Sequence, residues 1–397
     1  MKILVINSGS SSLKYQLIDT ESGDVLAKGY YERIGIGGAF LTHKINGEKY
    51  KLEHDVDNHT DALKFTIEQL LNPEYPAIKS LDEIDAIGHR VVHGGDKIKS
   101  SKLINDEVIS VIEECIPLAP LHNPAGLTGI KACQDALPGK PNVAVFDTAF
   151  HHTIKPAQYT YAIPYRFYEK YGVRKYGFHG MSHNYIANRI SELTGRKDLK
   201  VINCHLGQGA SLCAIKDGES VDTSMGFTPL AGIPMGSRCG DLDPSIVTFI
   251  MKKEGLTPDE MDKVMNKESG IFGMSEISPD FRDVEDAAWK NGDAKANLAM
   301  DVYFYAVAKK IAEYMVALQG VDVITFTAGV GENGSEDREE ICKLLKCFGV
   351  EIDPEANKVR GKEAKISTPN SKIEVWVVPT NEELFIAKET EKIVKEN

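Results

Sequence analysis

No run in this chain reaches the ~18 uncharged apolar residues that a membrane-spanning helix needs. The apolar run Ile3 to Ile6 near the N-terminus is too short for a signal-peptide core and reads as a buried first strand, which points to a cytoplasmic protein. Cysteines number seven, scattered and without a C-x-x-C; Cys342 and Cys347 lie closest, and no clustered histidine completes a zinc site with them. Reduced thiols are therefore expected. No G-x-x-x-x-G-K-[ST] occurs, so a nucleoside triphosphate is not held here by a P-loop. A concentrated basic run is missing too: 46 Lys and Arg stand against 58 Asp and Glu, a net charge of −12, which repels nucleic acid and anionic lipid. An anionic substrate must then be met by a few placed cations, and individual arginines become informative.

What is present is globular. Hydrophobic residues make up 42% and charged residues 26%, and 397 residues suggest two or three domains. Short Val- and Ile-rich runs alternate with amphipathic stretches, the α/β pattern. Strands are predicted at Ile3 to Ile6, Ile84 to Ile87, Val143 to Phe146, Val201 to Cys204, Val321 to Phe326 and Val375 to Val378. Helices are predicted at Ala62 to Leu71, Asp106 to Cys115, Asn184 to Leu193 and Ala296 to Leu318, the last stopped by Gly320. The chain also resembles itself. V-I-N-S-G-S-S-S-L-K-Y-Q-L-I-D at 5–19 parallels V-I-N-C-H-L-G-Q-G-A-S-L-C-A-I-K-D at 201–217, and I-D-A-I-G-H-R-V-V-H-G-G at 84–95 parallels V-D-V-I-T-F-T-A-G-V-G-E at 321–332. Two matches in the same order predict a duplicated domain with a boundary near Thr148 to Pro156.

Two turns are dense in small residues: S-G-S-S-S at 8–12, holding Ser10 and Ser12, and G-Q-G-A-S at 207–211. Backbone N–H groups and hydroxyls in such turns form nests for phosphate, and Lys14 lies just beyond the first. Either turn alone also reads as a plain hairpin; the repetition favours phosphate. A third element, G-V-G-E-N-G at 329–334, fits G-x-G-x-x-G after a predicted strand, with Asp353 near the spacing of a Rossmann acidic residue. A dinucleotide oxidoreductase thus competes, although only about 65 residues follow and the Glu-Asn pair would crowd a pyrophosphate. Arg90 in G-H-R-V-V-H-G-G and Arg238 in M-G-S-R-C-G-D-L-D-P sit on strand-end or Gly-rich loops, suited to bidentate capture of carboxylate or phosphate, or to a structural ion pair. Asp147 ends V-A-V-F-D and Glu382 follows V-V-P-T-N, positions where carboxylates point into the ligand crevice of an open sheet. His179 and His183 have the i, i+4 spacing of a metal pair but lack a third ligand; His179 reads better as a polar donor at a site mouth.

Together these motifs resemble those of the acetate kinase family. N-x-G-S-S-S-x-K at 7–14, G-H-R-V-V-H-G-G at 88–95, L-A-P-L-H-N-P at 118–124 and V-F-D-T-A-F-H at 145–151 are similar to it. So are Y-G-F-H-G-M-S-H at 176–183, D-T-S-M-G-F-T-P-L-x-G at 222–232, G-S-R-C-G-D-L-D-P at 236–244 and P-T-N-E-E at 379–383. The resemblance implies an α/β fold shared with sugar kinases, actin and heat-shock ATPases: a duplicated ribonuclease-H-like (actin-like ATPase) fold with two domains around a nucleotide cleft. It divides the chain into residues 1–148 plus 384–397, the acetate side, and 149–383, the nucleotide side. It also implies reversible transfer of the ATP γ-phosphoryl group to acetate and a homodimer.

By the same resemblance, Asn7 and Glu382 hold Mg²⁺ or Mn²⁺, and Lys14 belongs to the nucleotide-phosphate site. Arg90 binds the carboxylate, Asp147 is the catalytic aspartate, and His179 and Arg238 stabilise the transition state. Nucleotide contacts fall on His205, Leu206, Gly207, Gln208 and Gly209, on Asp280, Phe281 and Arg282, and on Gly329, Val330, Gly331, Glu332 and Asn333. Val92, Leu121, Phe178 and Pro229 match the methyl pocket, and His122 and Asn123 fall near the site without separable roles. Gln208 departs from the family, which usually shows Asn there; the amide survives but reaches one methylene further. Phosphoryl transfer needs positioning and charge stabilisation, and a carboxylate acceptor is already ionised, so Asp147 need not act as a base. Propionate or another short-chain acid as acceptor, a sugar kinase and an actin-like ATPase remain as rivals.

Overall fold

In the computed structural model, which describes residues 1–397, the chain divides into two units: Met1–Phe150 with Asn381–Asn397, and His151–Thr380. Asn381 explains why the second crossing lies there. Its side chain accepts a hydrogen bond from Leu384 N at 3.0 Å and caps the helix Glu382–Glu396, so Glu382 and Glu383, assigned from sequence to the second domain, begin the helix that returns to the first unit.

In the first unit β1 (Lys2–Gly9), β2 (Ser12–Asp19), β3 (Val25–Glu32), β4 (Phe40–Ile45) and β5 (Glu48–Glu53) form an antiparallel meander. On the other side of β1 follow β6 (Ala86–Val91) and β8 (Asn142–Phe146), both parallel to it, with the short β7 (Lys102–Leu103) at the edge. Strands covered on both faces read as continuous apolar runs, and Ile3 to Ile6 of β1 are indeed almost fully buried. Leu4 and Ile6 pack with Ala62, Leu63 and Ile67 of the helix His59–Leu70 and with Ala132 and Cys133 of the helix Asn123–Ala136. On the opposite face the helix Glu382–Glu396 presses so closely onto β6 that a Cβ at Gly88 would run into Thr390 Oγ1 and Ile386. Glycine is required there. Strands β3 to β5 escaped the sequence reading because their outward face is Lys, Glu and Thr, which breaks the apolar run into alternation.

The second unit repeats this plan. β9 (Lys200–Leu206), β10 (Ala210–Lys216) and β11 (Glu219–Thr223) form the antiparallel part, while β12 (Val323–Thr327) and β14 (Glu374–Val377) run parallel to β9, with β13 (Ala364–Lys365) at the edge. Each sheet thus carries the strand order 3-2-1-4-5 with the second strand reversed, the ribonuclease-H-like topology, and the duplication inferred from sequence is a duplication of structure. That topology also rejects the Rossmann reading. G-V-G-E-N-G does follow a strand and open a helix, Ala328–Asn333, but in a sheet whose β9 to β11 are antiparallel rather than doubly wound. The 25-residue helix Ala294–Leu318 covers this sheet with Ala299, Tyr303, Val307 and Ile311. No helix in the chain is long and apolar enough to cross a membrane.

Candidate functional site

The first unit gathers its charged residues at the C-terminal ends of β6 and β8. Asp147 follows β8 directly, its N–H donating to Val91 O at 2.9 Å, and it is 1% exposed. Arg90 on β6 donates through Nη2 to Asp147 Oδ2 at 3.2 Å, while its Nε lies 3.9 Å from Glu382 Oε2. Burial opposes the Arg90 charge, but Asp147, Glu382 and Glu383 outweigh it and hold its pKa above the ordinary value. Glu382 sits in the converse position: burial pushes its carboxyl up to about 7, Arg90 pulls it back, and Asp147 and Glu383 add to the rise.

β1 and β2 close through Gly9 and Ser12, with Ser10 and Ser11 as the two-residue turn, and Gly9 O is tied to His59 Nε2 at 2.8 Å. A Cβ at Gly9 would approach Ser12 Oγ to 2.6 Å, so the glycine keeps that hydroxyl in place. Asn7 and Lys14 are cross-strand partners on one face, and both line a cavity of about 370 Å³ with Tyr30 and Glu383. Lys14 Nζ stands 5.3 Å above the Tyr30 ring. Val92 is buried just beyond β6, whereas Leu121 is 73% exposed.

Asn123 has a structural task that its motif did not reveal. Fully buried, it accepts from His93 N at 3.2 Å and donates to His93 O at 3.0 Å and Ile112 O at 3.1 Å. It therefore pins the loop that follows Arg90 to the start of the helix Asn123–Ala136, whose N-cap is His122.

In the second unit the glycine turn 207–209 joins β9 to β10. A Cβ at Gly209 would stand 3.4 Å from Arg238 Nη1 and 3.5 Å from His179 Nε2, so turn, cation and imidazole meet at one point. Arg238 donates through Nη1 to Pro229 O at 3.2 Å and lies 3.7 Å from Met235 Sδ; burial lowers its pKa, and no carboxylate offsets that. It is a half-buried cation without an internal counter-ion.

His179 adopts the left-handed conformation, φ 55° and ψ 26°, at the head of the helix Gly180–Thr194, and stacks on His205 with ring centroids 4.1 Å apart. His205 Nδ1 pairs with Ser182 Oγ at 2.8 Å, and Ser182 with Thr380 Oγ1 at 2.8 Å. The metal reading of His179 and His183 gives way to another arrangement. Both rings engage Ser211, at 2.9 Å from His179 Nδ1 and 2.7 Å from His183 Nε2, and no group of three potential metal ligands of the His, Cys, Asp and Glu type exists. Phe178, just before His179, is buried.

A second cavity, about 480 Å³, is lined by Gly207, Gln208, Asp280, Phe281, Arg282, Gly329, Val330 and Asn333, all named from sequence, and also by Glu285, Glu336 and Arg360. Its size falls within the range of ligand pockets. The Gln208 side chain lies against Gly236, where a Cβ would collide with its amide. Asp280 caps the helix Phe281–Glu285 and pairs with Arg282. Leu206 and Gly331 are buried behind the wall. Glu332 faces inward: its Oε1 accepts from Ala328 N at 2.8 Å and Thr380 N at 3.1 Å, binding the ends of β12 and β14 together. Sequence reasoning put Ser211 in the phosphate turn, whereas its hydroxyl is fully buried between His179 and His183, and it missed Asn203 and Ser182; the signal was a buried hydroxyl or amide among apolar neighbours in β9, β10 and the helix Gly180–Thr194.

Known proteins resemble this chain over its whole length. The sequence profile described as the acetokinase family matches residues 2–388. The acetate kinase of Thermoanaerobacterium thermosaccharolyticum is 57% identical over 397 residues, covering 100% of this chain and 99% of that protein. Among solved structures, the acetate kinase of Porphyromonas gingivalis superposes with a TM-score of 0.96 at 48% identity, covering 99% of each chain. A propionate kinase from Francisella tularensis gives 0.92 at 40% identity, again covering 99% of each. With the match running through both units and every motif quoted above, the chain belongs to the acetokinase family.

Proposed function

We propose that this chain is a carboxylate kinase that reversibly transfers the γ-phosphoryl group of ATP to acetate, giving acetyl phosphate and ADP. The observation that carries the reading is Arg238: a half-buried guanidinium with no carboxylate partner, beside His179 and a glycine turn, suits the charge of a phosphoryl group in transfer. In the second unit Arg238 and His179 stabilise that charge. The loops 205–209, 280–282 and 329–333 take the nucleotide, with Glu332 acting through the strand ends it holds.

The first unit supplies the acceptor side. Arg90, whose Nη2 and Nε face Asp147 and Glu382, offers Nη1 to the acetate carboxylate. Asp147 orients the acceptor. Ser10, Ser12 and Lys14 serve the phosphates. Val92 and Leu121 offer apolar contacts to the methyl group on this side. Asn7 and Glu382 provide hard oxygen donors, and so few protein ligands suit Mg²⁺ or Mn²⁺, which complete their shell with water and substrate phosphates. When bound, the metal neutralises charge on the phosphates.

Seven free cysteines fit a reducing cytoplasm. A homodimer is supported by an unpartnered helical stripe, Leu298, Val302 and Tyr305, all exposed at i, i+4 and i+7 on the helix Ala294–Leu318. Sedimentation at micromolar concentration should show a dimer that Tyr305→Glu dissociates; a monomeric parent protein would end that reading. The reaction itself is tested by trapping product with hydroxylamine across acetate, propionate, butyrate and glycerol, because only an acyl phosphate yields a hydroxamate. Acetate should give the highest turnover. A preference for propionate would make the chain a propionate kinase, and turnover of glycerol without hydroxamate would make it a hydroxyl kinase.

A further inference from the structure

Behind His179 lies a buried polar chain that the reaction above does not use. Ser211 Oγ on β10 is held between two imidazoles, 2.9 Å from His179 Nδ1 and 2.7 Å from His183 Nε2. His183 Nδ1 lies 2.8 Å from Asn203 Nδ2 on β9, and Asn203 Oδ1 accepts from Thr325 Oγ1 on β12 at 2.7 Å. Ser211, His183, Asn203 and Thr325 are all 0% exposed. Three adjacent strands and the helix Gly180–Thr194 supply them, so the chain is anchored in the middle of the sheet.

Its direction follows from donor and acceptor chemistry. An amide nitrogen only donates, so His183 Nδ1 accepts from Asn203. A neutral imidazole has one N–H, which then sits on His183 Nε2 and points at Ser211 Oγ. Burial, with His151 and His205 nearby, holds His183 well below its ordinary pKa, so the ring stays neutral. The Ser211 hydroxyl, having accepted from His183, gives its own hydrogen to His179 Nδ1. That leaves the His179 proton on Nε2, the atom that converges with Arg238 Nη1 on the Gly209 position.

We propose that Ser211 and His183 are positioning residues: the chain Thr325–Asn203–His183–Ser211 fixes His179 as the Nε2–H tautomer and aims that N–H at the phosphoryl group in transfer. The inference rests on the reading of His179 as a transition-state donor. A ring in the wrong tautomer has no N–H to donate from Nε2, and partners that fix a ring commonly decide which nitrogen carries the proton. The left-handed backbone at His179 adds a reason for such support, since a strained residue persists only where its surroundings hold it.

Imidazole ¹⁵N NMR of the free protein at pH 8 tests the tautomer without any substrate. The parent protein should show His179 bare at Nδ1 and protonated at Nε2, Ser211→Ala a mixture, and His183→Gln the parent pattern, because the glutamine amide can still donate to Ser211. His183→Leu should resemble Ser211→Ala. In steady-state assays Ser211→Ala and His183→Leu should lose about tenfold or more in kcat, with both KM values within about threefold and recovery in His183→Gln. A parent spectrum with His179 protonated at Nδ1 means the chain runs the other way and overturns the proposal, as does a His183→Gln no better than His183→Leu. His179→Ala serves as the control for the parent reading: if it keeps full kcat, that reading fails and this one with it, whatever the spectrum shows.

Discussion

Replacing Arg238 by Met separates a functional cation from a structural one, because the two predict opposite balances of stability and activity. Breaking a buried ion pair by removing one partner costs about 3–5 kcal/mol, since the other charge is stranded. Arg238 has no carboxylate partner to strand. Met loses one charge-assisted hydrogen bond, to Pro229 O at 3.2 Å, worth about 1.5–3 kcal/mol. Against this, the half-buried charge no longer has to be desolvated, a relief of similar size. The expected net change in stability is within about 1 kcal/mol, read as the urea midpoint of the second-unit transition. Activity should fall in the same protein by at least ~10²-fold in kcat/KM, equivalent to about 2.7 kcal/mol of transition-state stabilisation and mostly in kcat. Anions give a third reading. At about 100 times its Kd, a ligand such as ADP with a planar γ-phosphate mimic stabilises the parent by about 2.7 kcal/mol, and the mimic's share of that should vanish in Arg238→Met. A variant destabilised by more than about 3 kcal/mol whose folded fraction turns over at the parent rate would refute the reasoning and make Arg238 a framework residue.

Asn123→Ala removes three buried side-chain hydrogen bonds to the backbone, so it should lower the stability of the first unit by about 3–5 kcal/mol and weaken acetate turnover through the loop after Arg90; an unchanged melting temperature would contradict the clamp. Asp337 is 1% exposed with neither carboxyl oxygen hydrogen-bonded, and burial, with Glu285, pushes its pKa up to about 8 from 3.8. Between those values the folded state holds a proton that the unfolded state has lost, so stability falls as pH rises through the window, and Asp337→Asn should flatten the slope and gain about 2–4 kcal/mol on the parent near pH 8. Equal slopes from pH 5 to pH 8 would count against it. Val92→Ala should raise the propionate-to-acetate ratio of kcat/KM, within the about 10–200-fold that one methylene controls; a folded variant with the parent ratio removes Val92 from the methyl pocket.

The parallel core and the glycine turns were legible in the sequence because each is a local pattern. Ile3 to Ile6, Val143 to Phe146 and Val201 to Cys204 are strands with both faces covered, and the two hairpins at 5–19 and 201–217 announced the duplication. The meander β3 to β5 was not, since a strand with one wet face hides its apolar half among lysines and glutamates. Residue types that suit ligands, such as Arg90, Arg238 and Asp147, could be picked out from loop position and charge. What those positions do locally depends on distant partners. Glu332 and Asn123 stand in motifs that the family resemblance assigns to the site, yet both spend their side chains on backbone groups that fold from elsewhere in the chain, Thr380 for one and Ile112 for the other. The Ser211 relay joins residues 211, 183, 203 and 325, a set that no spacing rule collects.

The helix Glu382–Glu396 has a consequence for how the protein is made. It fills the face of β1, β6 and β8, with Gly88 bare to admit it and Ser101 bonded to Glu389 at 2.9 Å. While a ribosome synthesises the chain, the first 150 residues emerge with that face uncovered and wait for Asn381–Asn397. The 230 residues between them take roughly 10–50 s to translate at typical rates. The second unit, continuous in sequence, can complete its sheet first. Nascent chains stalled before residue 381 should therefore expose the Val5 and Gly88 face to chaperones and proteases, and adding the 381–397 segment as a separate peptide should protect it.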